Sequence, residues 1–425
     1  MRVAVIGAGI VGVTSAFELT SDGHQVTVFE RRGSVAEEAS FANAGVVAPG
    51  YVSPWAAPGM PGKVLRQLLS RHAPVRLSWP LAGGQLGWMW RWWRACQAPV
   101  FAANRERMYR LARYSQQRLH HLRRELTLDH EQANGYLVLL RRAQELKGAH
   151  AQLKLLAELG VNFHLVDGTR ARQLEPGLNP DMGLHAAVHL PDDELGNCRQ
   201  FAHLMRGQAM ARGAVFRFNR SVERIDAGNQ PRLTHRGVAS ADAPRQEAFD
   251  AVLVCAAMGS PALLKPLGLR LPLAALHGYS ISAPLRQLDG YPHLGPHSGV
   301  MDAQYKVAIS HLGQRVRVAG CAELGGRLDH MDAAMLKILH KVLDDWYPGC
   351  AQWAQAQRWK GARPMLPDGA PVLGPSGAPG VWLNLGHGAS GWALSCGSAR
   401  VLADQIGGRA PAVDVSGLDR ARLAA

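Results

Sequence analysis

The 425-residue chain has no run of about 18 or more uncharged apolar residues, which excludes a membrane-spanning helix. Cysteine is sparse. Cys96, Cys198, Cys255, Cys321, Cys350 and Cys396 are scattered with no C-x-x-C pair, which points to reduced, mostly buried thiols. No internal repeat or low-complexity tract occurs. His185 and His189 sit four apart, as metal ligands on a helix do. The stretch Leu184 to Leu190 reads as extended, however, so no metal site is expected. The first strand begins at the N-terminus and leaves no room for a signal peptide, so the cytosol is the expected compartment. Acids are scarce: 33 Asp and Glu face 47 Lys and Arg, for a net charge of +14. Such an excess suits an anionic partner, namely nucleic acid, an anionic membrane surface or an acidic substrate. It is also what an Arg-rich proteome produces. No basic tail or RNA-binding module is attached, so nucleic acid is not expected.

What is present is concentrated at the start. Arg2 to Ile6 reads as a strand and runs into Gly7-Ala8-Gly9-Ile10-Val11-Gly12. A helical pattern follows through Leu19. Ser21 to His24 turns the chain, and Val26 to Phe29 is a second strand ending in Glu30. This order of strand, glycine loop, helix, strand and acid is that of a dinucleotide-binding unit. Gly7 permits the turn, Gly9 lets backbone approach a pyrophosphate, and Gly12 lets the helix pack on the sheet. The helix N-terminus offers N–H groups and partial positive charge to the phosphates. Glu30 is placed to accept hydrogen bonds from ribose hydroxyls, and its charge opposes a 2′-phosphate.

Further along, Ala48 to Pro61 is Pro- and Gly-rich and reads as irregular. Leu86 to Leu126 reads as two helices broken near Pro99. Gly135 to Leu140 is a strand, Ala143 to Leu159 a helix, and Val161 to Val166 extended. Asn197 to Arg212 is an amphipathic helix, and Val215–Phe218 and Ser221–Ile225 are short strands. Ala251 to Ala256 is fully apolar, the pattern of a buried parallel strand. Residues 270–321 read as an antiparallel sheet, and Ala333 to Trp346 as a helix. A second glycine-rich block, strand Val381–Leu385 and turn Gly386 to Gly391, leads into a helix through Ile406. The expected fold is α/β. A Rossmann-like domain (residues 1–60, 150–262 and 350–425) interleaves with an antiparallel-sheet-plus-helices domain (61–149 and 263–349).

Two paired glycine blocks suit a dinucleotide whose ring system reaches across the sheet to another helix N-terminus. At this point the chain resembles the FAD-dependent D-amino acid oxidase and glycine oxidase superfamily. Within it, the resemblance is to the family of bacterial D-amino acid dehydrogenase small subunits. The landmarks are Ala42 to Gly45, Pro54 to Gly59, Arg71 to Pro74, Trp88-Met89-Trp90, His277 to Ser280, Tyr305 to Ile309, Arg363 to Gly369 and Leu385 to Gly388. The resemblance implies noncovalent FAD and oxidation of a D-amino acid to its imino acid, which water converts to a 2-oxo acid and ammonia. It also implies electrons passing to a membrane quinone through peripheral contact with the inner face of the cytoplasmic membrane. Ala362 stands where Leu is usual, and Ala389-Ser390 also departs from the pattern. Those differences bear on side-chain preference. D-hydroxyproline or another cyclic imino acid is an alternative substrate, and an FAD-dependent tRNA-modification protein is an alternative of another class.

By that resemblance, Arg363 is the candidate for the substrate carboxylate, because a guanidinium fork fixes both position and angle. Tyr305 and Tyr279 are candidate phenol contacts, with Lys306 a weaker one. His387 is expected beside the flavin. No general base is assigned, since hydride transfer needs a neutral amine and alignment. Ser40, Asn43, Ala44 and Gly45 are expected to line the pyrophosphate and flavin. Val222 is expected at the adenine, and Ala389, Ser390 and Gly391 are expected to offer N–H groups to the flavin. Val5, Ala8, Ile10, Val11, Arg31, Ala256, Gly259, Gly361, Gly386 and Gly388 complete the expected cofactor set. The cluster Trp88, Trp90, Trp92 and Trp93, interleaved with Arg91 and Arg94, reads either as buried packing or as an interfacial helix.

Overall fold

The computed structural model describes all residues except 69–74, 79–83, 240–242, 288, 290–293 and 424–425. The landmark Arg71 to Pro74 lies outside the described residues. Arg2–Ile6, Ile10–Ser21 and Gln25–Phe29 form the strand, helix and strand that the glycine loop anticipates. They belong to a six-stranded sheet in the order Val372–Pro375, Val381–Leu385, Ala251–Val254, Arg2–Ile6, Gln25–Phe29, Val215–Arg217. All neighbours pair in parallel except the first two. The apolar run Ala251–Val254 lies beside Arg2–Ile6 and is buried throughout, as continuous hydrophobicity in a parallel strand requires. The helices Ile10–Ser21, Ala98–Glu125 and Gly391–Ile406 meet at Glu18. That carboxylate is fully buried and accepts from Arg118 at 2.7 and 2.9 Å and from Arg400 at 2.8 Å. A buried charge demands such partners, so the three helices are fixed in register.

The larger, ten-stranded sheet runs Gln357–Met365, Ala274–Pro284, Arg315–Gly325, Val307–Leu312, Gly299–Asp302, Ala133–Leu140, Ala186–Leu195, Val46–Val47. Val75–Ser78 and His164–Asp167 pair at its side. The segment expected to be antiparallel does make antiparallel hairpins. Gly299–Asp302, however, lies parallel to Ala133–Leu140. His164–Asp167, Ala186–Leu195 and Gln357–Met365 all hydrogen-bond in this larger sheet. Each lies within a stretch that the sequence pattern assigns to the dinucleotide part. Their pairing partners are distant in sequence, and no local pattern reports them.

Two local readings shift. Met60 and Pro61 open the helix Met60–Leu68 instead of ending an irregular stretch. Pro99 starts the helix Ala98–Glu125, where its missing N–H costs nothing, and the break falls just before it. His189 lies on a strand, with its ring tilted against His164. The Trp cluster divides by helical phase. Trp88 and Trp92 are buried, whereas Trp90 and Trp93 are 59% and 52% exposed and stack at 5.1 Å.

Candidate active site

The glycine loop opens into a cavity of ≈ 680 Å³ that lies between the two sheets. Its dinucleotide end is built by short-range necessity. Gly7 has φ +103°. A Cβ on Gly12 would stand 1.9 Å from the Gly7 carbonyl oxygen, so only glycine lets the helix start this close to the turn. Ile10 N–H donates to Ser40 Oγ at 3.1 Å. Glu30 accepts from the N–H of Ala8 and of Arg32, each at 2.7 Å, which fixes the carboxylate at the end of its strand.

The segment 42–45 is tied to the larger sheet carbonyl by carbonyl. Ser280 Oγ donates to Ala42 O at 2.8 Å, Arg317 Nη1 to Asn43 O at 3.0 Å, and Ser310 Oγ to Ala44 O at 2.7 Å. Trp392 Nε1 and Gly196 N–H donate to Gly45 O. Burial lowers the Arg317 pKa to about 10, yet the Asn43 carbonyl and the Ser282 hydroxyl accept from it and hold it in place. Arg317 was not anticipated. The signal was an arginine between Val316 and Val318 in the apolar middle of a strand, which calls for a buried partner.

At the other end, Arg363 extends from the strand Gln357–Met365 and donates from Nη1 to Cys321 O at 2.9 Å. A Cβ on Gly278 would lie 2.2 Å from its Nη2, so this glycine lets the guanidinium cross the neighbouring strand. No carboxylate pairs with Arg363 among the described residues. Burial pushes its pKa down, the cost of a cation without a counter-charge. His387 is buried, with Nε2 3.1 Å from Ser398 Oγ, and burial lowers its pKa to about 3. The ring is therefore neutral at physiological pH.

Of the residues singled out from the sequence, these line the cavity: Gly7, Gly9, Ile10, Val11, Glu30, Arg31, Ser40, Asn43, Ala44, Val222, Ala256, Gly259, Tyr279, Gly361, Arg363, Gly386, His387, Gly388, Ala389 and Gly391. Val5, Ala8, Gly12, Gly45, Ser390 and Tyr305 stand behind the wall. Ser390 N–H is engaged by His387 O at 3.0 Å. The Arg31 guanidinium forks onto Glu38 at 2.9 and 2.8 Å. Tyr279 shows its ring to the cavity, but its hydroxyl donates to Glu323, which also holds Lys360 at 2.7 Å. The Tyr305 ring lies 5.3 Å from the Arg141 guanidinium and faces the core, while the adjacent Lys306 lines the cavity.

A glycine loop on a parallel sheet, a helix N-terminus and an unpaired arginine at the far end of one cavity define an α/β dinucleotide-dependent oxidoreductase. The chain belongs to the FAD dependent oxidoreductase family, whose model matches residues 2–405. It is 40% identical over its full length to a D-amino acid dehydrogenase of Allorhizobium ampelinum, covering 99% of that protein. It is 41% identical over its full length to one of Cereibacter sphaeroides, covering 96% of that protein. Among solved structures, glycine oxidase from Geobacillus kaustophilus superimposes with a TM-score of 0.75 at 19% identity, covering 98% of this chain and 97% of that one. L-proline dehydrogenase from P. horikoshii gives 0.72 at 17% identity, covering 100% and 97%. The residues present fit FAD, because Gly7 and Gly9 leave the helix start bare of side chains where it lines the cavity and Asn384, which also lines it, has an Oδ1 without a partner.

Proposed function

We propose that the protein oxidises D-amino acids to imino acids, which water hydrolyses to 2-oxo acids and ammonia. The observation that carries this reading is Arg363: half-buried, carboxylate-free and fixed by Cys321 O and Gly278 at the end of the cavity. Its fork receives the substrate α-carboxylate and sets the orientation of the Cα–H bond. Bound along the glycine loop, FAD supplies the two-electron acceptor. Glu30 would hold the ribose, Val222 the adenine, and Ser40, Asn43 and Ala44 the pyrophosphate and ring system. Gly388, Ala389 and Gly391, on the cavity wall at the second helix start, would stabilise negative charge on the ring system. Neutral His387 packs beside them without adding charge. The aromatic wall of Trp359, Tyr279 and Trp392 excludes water.

One clamp and one cofactor face decide which hydrogen leaves, so handedness is a property of this chain's residues. The fold does not set it, since a solved structure of the same fold is named an L-proline dehydrogenase. Under anaerobic conditions D-alanine is expected to bleach the visible flavin absorbance, and L-alanine is expected not to. Equal bleaching by both would sink the proposal.

The electrons pass on to a membrane quinone. No helix among the described residues is long and apolar enough to cross a membrane. Access instead comes through the helix Gln85–Ala95, where exposed Leu86, Trp90 and Trp93 alternate with exposed Arg91 and Arg94. Leu65 on Met60–Leu68 is exposed as well. Such a face suits an anionic bilayer, with Trp at headgroup depth and Arg on phosphate. Replacing Trp90 and Trp93 with Ala is expected to reduce both binding to anionic liposomes and quinone reduction, while reduction of a soluble dye stays unchanged. A matching fall in dye reduction would make the pair structural.

A further inference from the structure

The hairpin joining Gly299–Asp302 to Val307–Leu312 turns through residues 303–306, and Lys306 closes it at φ +53°. That left-handed conformation is ordinarily given to glycine or asparagine. The strain is held from beneath by Asp302, which is fully buried. Its Oδ1 accepts from Tyr305 N–H at 2.8 Å. Its Oδ2 accepts from Arg141 Nε at 2.6 Å and Trp346 Nε1 at 2.8 Å. The network thus positions a turn whose last residue puts its side chain into the cavity wall.

No hydrogen bond or ion pair engages the Lys306 ammonium among the described residues. Lys306 is exposed along the cavity wall, and desolvation there lowers its pKa, as does Lys63, while Asp302 and Glu145 act in the opposite direction. Those two carboxylates are occupied elsewhere, Asp302 as above and Glu145 by Arg141 N–H at 2.8 Å. Arg363 and Arg220 are the cavity's other cations without a carboxylate among the described residues, and Arg220 lies at the dinucleotide end, where its N–H donates to Glu30 O. Arg363 lies on Gln357–Met365 and Lys306 at the start of Val307–Leu312, with two strands between them in the sheet, so Lys306 and Arg363 stand at separate points of the cavity. Between them the sheet offers a low floor, in which Met301 pairs with Ala308 and Ala308 with Ala319.

We infer that Lys306 is a side-chain specificity residue: with the α-carboxylate on Arg363, it receives the end of a substrate side chain that carries an oxygen acceptor, a carboxylate or a carboxamide. This rests on the D-amino acid reading above. A donor built into a cavity without a protein acceptor favours a ligand that supplies one, and it rejects a ligand that ends in another cation. The strained backbone is retained because a lysine, unlike the glycine the turn would prefer, carries that donor.

The test is steady-state oxidation of D-alanine, D-methionine, D-glutamine, D-glutamate and D-lysine by the FAD-loaded protein, with a soluble dye as acceptor. In Lys306→Met, the kcat/KM of D-glutamine and of D-glutamate relative to D-methionine is expected to fall at least tenfold. Lys306→Gly relieves the strained φ, so the same loss of ratio is expected with a Tm no lower than the native one. That combination separates loss of the donor from loss of structure. Native protein is expected to use D-lysine at least tenfold less well than D-glutamine. Ratios unchanged in both variants, with D-alanine still oxidised, would overturn the subsite alone. If native protein oxidises none of the five, the D-amino acid reading falls first and takes the subsite with it.

Discussion

Arg363→Lys is expected to lower kcat/KM for a D-amino acid by about 2–4 kcal/mol of transition-state binding, roughly 30- to 900-fold, with FAD content unchanged. The guanidinium offers a planar fork, and one of its nitrogens is already aimed by Cys321 O at 2.9 Å. A lysine ammonium is a point charge with three rotatable donors on a flexible stem. It can hold a carboxylate but cannot fix the direction of the Cα–H bond. The loss should therefore appear in kcat as well as KM, because orientation is realised in the transition state. Gly278→Ala supplies an independent check. Its Cβ would sit 2.2 Å from Arg363 Nη2, so the fork must leave its place while every chemical group remains. It should reproduce most of the loss. If Arg363→Lys stays within threefold of native protein, the carboxylate is bound elsewhere.

The parts of the site that sequence made legible are those whose requirement is local. A turn that only glycine can make, a helix start and an acid at a strand end all fall within one stretch, so Gly7 to Glu30 could be placed without a structure. Arg363 was legible only through its surrounding motif, because its environment is made by strands 42 and 85 residues away in sequence, at Cys321 and Gly278. The tyrosines show the limit. Tyr279 and Tyr305 each stand in an apt motif, but which way a phenol points depends on cross-strand register. A register shift between His277 and Tyr279 turns the Tyr279 hydroxyl toward Glu323 and Lys360. Arg141 draws the Tyr305 ring into the core. In the same way, packing and exposure were offered as rival readings of one Trp cluster. Helical phase gives Trp88 and Trp92 to one and Trp90 and Trp93 to the other.

Gly9→Ala and Gly12→Ala are expected to fail in different ways, and together they locate the cofactor. At Gly12 the new methyl would lie 1.9 Å from the Gly7 carbonyl oxygen, far inside contact distance. Relief requires moving the turn or the helix Ile10–Ser21, whose buried face packs from Val13 through Thr20. Strain of that size is paid by the fold itself, so Tm should fall and FAD should be lost with it. At Gly9 the nearest atom to a new Cβ is Ser40 Oγ at 3.6 Å, an ordinary contact, so the free protein accommodates it. What the methyl occupies is the space through which a pyrophosphate reaches the backbone at the helix start. Gly9→Ala should therefore keep the Tm of FAD-free native protein while its FAD affinity drops at least about 100-fold, roughly 3 kcal/mol. Both quantities can be read from flavin released by acid precipitation and from melting curves with and without added FAD. A yellow, fully loaded Gly9→Ala protein would show that the phosphates do not cross residue 9, and the cavity's dinucleotide end would have to be assigned again.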